Sequence, residues 1–309
     1  MSTGMAVRIT GAALAIGFFR SAAAAEPLCV PFDFSRGSIG LHVNVKGVPL
    51  FMILDTGVDP SVIDLSRADA LGLKVDRAAG SEATGGGDAK QARAFPVTLS
   101  NLTISGRPFA SFDALAMDMG ILSETYGRAL DGVLGYSFLA DKVVLVDYAN
   151  RTVGVLDGPA DAATLVRACG SRWSIPMRSY EGDSIPVVPR FRFGTASAPI
   201  SLDTGSNGGI ALYQSALDLP GVRAALSNEG ETSYSGARGD AKTKTYLFNA
   251  PVGFGPFTLP AGEIVTLRTT KGSIDTRVAN VGNKLFAEMK LKMLLDYRNR
   301  QVTFFGDCR

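Results

Sequence analysis

Histidine is almost missing from this chain: His42 stands alone among 309 residues. That count excludes a His-rich zinc centre. It also leaves a Ser-His-Asp or Cys-His hydrolase dependent on one residue without a companion motif. His42 shares the polar face of a segment, with Asn44 and Lys46, while Ile39, Leu41, Val43 and Val45 alternate on the other face. It therefore reads as a surface residue of a half-buried strand. Cysteine is scarce too. Cys29, Cys169 and Cys308 have no metal-site spacing, and in an oxidising compartment one pair could bridge, with three pairings open. Charge is thin, at 19% of residues and a net +2. A nearly neutral chain with few basic clusters argues against nucleic acid as a partner. No apolar run approaches the roughly 20 residues that a bilayer span needs.

What the chain has in quantity is turn-forming and core-forming residues: 35 Gly, 15 Pro and 46% hydrophobic. Short runs of Val, Ile, Thr and Phe punctuated by Gly or Pro indicate mainly β structure. The first 25 residues read as a signal peptide: Arg8 gives a positive start, Ile9 to Phe19 is apolar, and Ser21 to Ala25 offers small residues for cleavage near Ala25. This predicts a periplasmic or secreted chain. Strands are expected at Val97 to Ile104, Phe109 to Ala116, Val143 to Tyr148, Thr152 to Leu156 and Val187 to Phe193. Short helices are expected at Ser66 to Leu71 and Leu122 to Leu130. Residues 157–171, rich in Gly, Ala and Asp at first, form the best linker.

One motif organises the rest. The apolar run Phe51-Met52-Ile53-Leu54 ends in Asp55-Thr56-Gly57, so a carboxylate sits where a buried strand meets a tight loop. A lone desolvated charge there is costly. The chain repeats the arrangement 148 residues later, where Ile200-Ser201-Leu202 leads into Asp203-Thr204-Gly205. Gly239-Asp240-Ala241-Lys242 echoes Gly87-Asp88-Ala89-Lys90, and Leu295-Asp296-Tyr297 echoes Val146-Asp147-Tyr148. Repeats in the same order at nearly constant offset indicate an internal duplication. The period is too long for a solenoid, so it predicts two homologous domains. If the halves pack about a pseudo-twofold axis, the two loops meet on it. Like charges that close cannot both ionise cheaply, so the pair holds one proton. Such a pair activates water by general acid–base catalysis.

These residues, with Val133-Leu134-Gly135, resemble the aspartic protease superfamily: the bilobal pepsin-like architecture, with details closer to a bacterial retropepsin-like branch. The resemblance covers roughly residues 30–309. It implies two β-barrel-like lobes with few short helices, an N-terminal lobe over 26–156, the linker at 157–171 and a C-terminal lobe over 172–309. It implies that Asp55 and Asp203 are the catalytic pair and that Thr56 and Thr204 cross-link the loops through hydroxyl-to-backbone hydrogen bonds. Gly57 and Gly205 would let backbone approach the carboxylates. The hairpin at Thr84, Gly85, Gly86, Gly87 and Asp88 would be a flap over the substrate. No metal or cofactor is implied, and a duplicated chain supplies both acids as a monomer. In the family the segments carrying Cys169 and Cys308 gather in a shared sheet beneath the cleft, which suggests that these two are paired.

The chain departs from the pattern in places. Three residues after each Asp, Ser206 could donate a hydrogen bond to Asp203, whereas Val58 cannot donate to Asp55. Asp203 is therefore expected to be the better stabilised anion, with Asp55 carrying the proton. Asn280-Val281-Gly282 has Asn where an apolar residue is expected, which reads as tolerated drift. The expected function is an aspartic endopeptidase acting on extended peptide segments. The alternative is a catalytically silent peptide-binding or inhibitory protein on the same fold. A glycosidase pair would need separated carboxyls, and the matched Thr-Gly neighbours give no reason for one.

Overall fold

Each lobe is built around an antiparallel hairpin. In the first half Gly40–Val45 pairs with Val48–Leu54, from Gly40 opposite Ile53 to Val45 opposite Val48. Alternation sends Leu41, Val43 and Val45 into the core and leaves His42 exposed beside the Phe51 ring. In the second half Val187–Phe193 and Ala196–Asp203 form the equivalent pair. The computed structural model describes residues 27–83, 86–87, 92–177, 185–236, 239–268 and 277–309. The signal-peptide expectation at 1–25 lies outside them, as do Thr84, Gly85 and Asp88 of the expected flap.

The fold is mainly β, built on two nine-stranded sheets with the same connectivity and a six-stranded sheet between them. In each large sheet the strand that delivers an Asp-Thr-Gly loop pairs in parallel with a later strand. Val48–Leu54 lies beside Gly132–Leu134, and Ala196–Asp203 lies beside Ala279–Gly282. The six-stranded sheet draws on both halves, in the order Leu28–Pro31, Thr152–Leu156, Val143–Asp147, Lys292–Asp296, Gln301–Cys308, Cys169–Pro176. At its centre Leu145 faces Leu294. These are equivalent positions of the duplication, so the pseudo-twofold axis passes between them. The duplication also recurs in the turns. Asp147 accepts from the Asn150 backbone and side-chain N–H groups at 3.0 and 2.8 Å, and Asp296 accepts from Asn299 at 3.0 and 2.7 Å.

Some element boundaries differ from the sequence expectation for local reasons. The strand expected at Val97 to Ile104 is two strands, Arg93–Leu99 and Leu102–Ile104, because Asn101 turns at φ 55° and sends the second to pair with Gly40–Val45. The helix expected at Leu122 to Leu130 runs over Gly120–Tyr126, stopped by Gly127 in the left-handed conformation. The segment 157–171 holds a short 3₁₀ turn, Pro159–Ala162, and its last three residues already belong to the edge strand Cys169–Pro176. There Cys169 lies opposite Cys308, and the two form a disulfide. Cys29 is an exposed free thiol on the opposite edge strand. No helix of the described residues is long and apolar enough to cross a membrane.

One hydrophobic core runs through both lobes, from Ile39 and Leu54 to Phe286 and Phe304. A separate apolar cluster, with Phe51, Val62, Met117, Met119, Tyr126 and Val133, lies in the first lobe, and Ile53 and Val58 pack against it. The two core-facing residues next to the loops, Leu54 and Leu202, are buried to within 1% exposure, which fixes where each chain must turn.

Candidate active site

The loops after Leu54 and Leu202 meet on the axis and hold each other. Thr56 Oγ1 donates to the Leu202 carbonyl at 2.9 Å and accepts from the Thr204 N–H at 3.1 Å. Thr204 Oγ1 donates to the Leu54 carbonyl at 2.9 Å and accepts from the Thr56 N–H at 3.0 Å. Both threonines are buried, so this reciprocal set replaces four water contacts at once. Ser38 Oγ adds a bond to the Gly205 carbonyl at 2.9 Å.

This clasp brings the two carboxylates together. The Gly205 N–H donates to Asp203 Oδ1 at 3.0 Å and to Asp55 Oδ1 at 3.2 Å. The Gly57 N–H donates to Asp55 Oδ1 at 2.6 Å. Both glycines are required by contact. A Cβ at Gly205 would lie 2.0 Å from Asp55 Oδ2, and one at Gly57 would lie 2.9 Å from Asp203 Cγ. Gly135 and Gly282 support the loops from behind: a Cβ on either would stand 2.5 Å from a loop carbonyl, that of Val58 or of Gly208.

The two acids have different surroundings. Asp55 is pushed well above the usual carboxylate range, first by burial and then by the charge of Asp203, and its backbone donors only partly offset this. Asp203 Oδ1 receives the Ser206 N–H at 2.9 Å as well as the Gly205 N–H. Its Oδ2 receives Asn280 Nδ2 at 2.6 Å. The expected donation from the Ser206 hydroxyl is not what supports Asp203. That hydroxyl accepts from the Gly208 N–H at 3.4 Å, and the Ser206 amide faces the carboxylate instead, because the loop turns through this peptide.

Asn280 is the residue that sequence reasoning undervalued. The signal was present as one polar side chain between the buried Ala279 and Val281. The loop network extends further through Asn283, fully buried, whose Nδ2 donates to the Thr204 and Ser206 carbonyls at 2.6 and 3.1 Å. Its Oδ1 accepts from the Tyr148 hydroxyl at 2.7 Å.

Two hairpins approach each other across the lobes. In the first lobe Ser81–Glu82 pairs with the start of Arg93–Leu99, and Gly86 and Gly87 lie in the connection. In the second lobe Leu226–Gly236 pairs with Gly239–Phe248 up to Gly236 opposite Gly239. A Cβ on Gly236 would lie 2.5 Å from the Gly86 carbonyl oxygen, and one on Gly86 would lie 3.1 Å from the Tyr234 ring. Thr125 Oγ1 meets Ser235 Oγ at 3.1 Å beside this contact.

Two β lobes joined by a shared sheet, with paired Asp-Thr-Gly loops clasped on the axis, define the bilobal acid-protease architecture. Residues 41–138 match the family model described as aspartyl protease. The match lies within the first lobe and includes the first Asp-Thr-Gly loop and Val133-Leu134-Gly135. No curated protein matches the chain.

Proposed function

We propose that this chain is an aspartic endopeptidase in which Asp55 and Asp203 activate a water for attack on a peptide carbonyl. The observation that carries the reading is the Gly205 N–H shared between the two carboxylates, which fixes them as one unit on the axis. One proton is shared by such a pair, and its titration belongs to both groups. Asp55, buried in apolar surroundings, holds that proton and delivers it to the carbonyl oxygen as charge develops there. Asp203, with its three N–H donors, is the anion that takes a proton from the water. Proton transfer in both directions within one pair needs no metal and no covalent intermediate.

An extended peptide is the substrate class that fits. Main-chain groups of a strand-like segment match the hairpin edges that converge at Gly86 and Gly236, and side chains alternate into pockets. A periplasmic or secreted location belongs to the same proposal, supported by the composition of residues 1–25 and by the Cys169–Cys308 disulfide.

The test is digestion of a denatured protein or peptide library with the purified chain across acid to neutral pH, alongside Asp55→Asn and Asp203→Asn. Each substitution is expected to lower cleavage by at least about a thousandfold, the scale on which loss of an essential acid or base acts. Cleavage that survives both would sink the assignment. Peptide binding without cleavage at any pH would instead identify a silent binder.

A further inference from the structure

From the geometry we infer that Asn280, oriented by Ser201, is a positioning residue that makes Asp203 the ionised member of the pair. The inference rests on the reading of Asp55 and Asp203 as a hydrolytic dyad, and it adds what decides their division of labour.

Ser201 and Asn280 sit side by side in parallel strands, in the places that Ile53 and Val133 occupy in the first lobe. The first lobe therefore presents two aliphatic side chains near its carboxylate, and the second presents a hydroxyl and an amide. The Ser201 hydroxyl donates to Asn280 Oδ1 at 2.7 Å, which leaves the amide nitrogen of Asn280 as donor toward Asp203 Oδ2 at 2.6 Å. Ser201 and Asn280 are both buried, at 2% and 6% exposure. A buried amide with one end tied to a hydroxyl has one useful orientation, so its N–H is aimed and not merely near.

An amide N–H is a donor under every pH of interest, so it stabilises the charged carboxylate against the neutral one. No group in the first lobe repeats this for Asp55 among the described residues, since Val133 offers only methyl groups. Among the described residues, Asp55 and Asp203 act on each other, and the phenols of Tyr148 and Tyr297 interact with Asp203 and Asp55 respectively. Both phenols are buried, which pushes them above their ordinary value and keeps them neutral while the dyad titrates. The asymmetry therefore comes from the Asn280 amide and the Ser206 backbone N–H on one side and from burial on the other.

The experiment follows the carboxyl carbons of ¹³C-labelled aspartate in the full chain by NMR through a pH titration, in parallel with the pH–rate profile on a cleaved peptide. In the wild type the lower step of the pair should report on Asp203. Asn280→Val, which copies the first lobe, should move that step and the acid limb of the profile up by about one unit, the size expected for a lost hydrogen bond to a charge. Ser201→Ala keeps the amide but frees it to turn, and should move both in the same direction by less. It decides the matter if Asn280→Val does not fold. A lower step that stays in place in a folded variant, or that reports on Asp55 in the wild type, overturns the inference. If the wild type cleaves nothing, the endopeptidase proposal fails while the NMR titration still decides the role of Asn280.

Discussion

Ile53 and Val133 in the first lobe and Ser201 and Asn280 in the second stand at matching positions of matching strands, yet they give two identical tripeptides different surroundings. Backbone geometry is shared down to the carbonyls that accept from each threonine. Polarity is not shared. The first loop sits against an apolar cluster, so its acid resists ionisation, and the second sits under an oriented amide. A duplicated fold can thus keep the scaffold that needs symmetry while side chains one strand away surround the two acids unequally. Tyr136 and Asn283 repeat the lesson at the next matching pair. Tyr136 packs against the Tyr297 ring, whereas Asn283 binds the Tyr148 hydroxyl and two loop carbonyls.

The largest contrast between the lobes is expected at the two loop glycines. Gly205→Ala puts a methyl group inside the Asp55 carboxylate, whereas Gly57→Ala meets Asp203 at a distance where small shifts give partial relief. Gly205→Ala should abolish cleavage and lower the unfolding free energy by about 1–3 kcal/mol, the usual cost of overpacking. Gly57→Ala should cost less on both counts. Denaturant unfolding and peptide cleavage on the two variants give the order, and an inverted order would mean that the loops are not placed as described.

The two acids differ in how they should affect stability. A carboxyl whose folded value is raised leaves stability fully present below the unfolded value, near 3.8, and lost as the pH rises from there through the folded value. Asp55→Asn removes that loss. It should melt higher than the wild type at neutral pH, with the gain fading below about pH 4, near the unfolded carboxylate value. Asp203→Asn gives up a charge that three N–H groups hold, and should show less gain or a deficit. Thermal melts of the three proteins across pH measure the contrast.

The smallest effect sharpens the comparison at the buried phenols. The Tyr148 hydroxyl has a partner in Asn283, whereas the buried Tyr297 hydroxyl has none among the described residues. Tyr148→Phe should therefore cost about 1–2 kcal/mol by leaving the Asn283 carbonyl unsatisfied, and Tyr297→Phe should be neutral or slightly stabilising. Equal losses in chemical denaturation would show that the two positions are satisfied alike.

Much of this was legible in the residues. Alternation placed the strand at Ile39 to Val45, and the apolar run 51–54 placed the first loop. Repetition of Asp-Thr-Gly and of Asp147-Tyr148 as Asp296-Tyr297 gave the two halves. Boundaries were lost where a single positive φ decided them, as at Asn101 and Gly127. In the sequence the Ser206 hydroxyl is the visible donor to Asp203, because a sequence shows side chains and not which way a peptide plane faces. Asn280 looks like drift for a related reason: a polar residue in a strand has no meaning until the face it occupies and the group opposite are known.

Residue pattern alone determined the strands that lead into the two acid loops, the loops themselves and the duplication, because these depend on periodicity and on glycine within a few residues. Only the tertiary structure decided that one Gly205 amide serves both carboxylates and that Asn280 reaches Asp203. The first contact spans the axis between the lobes, and the second joins residues 77 apart in the chain. Contacts of that kind are set by sheet register and lobe packing, and local pattern carries no record of them.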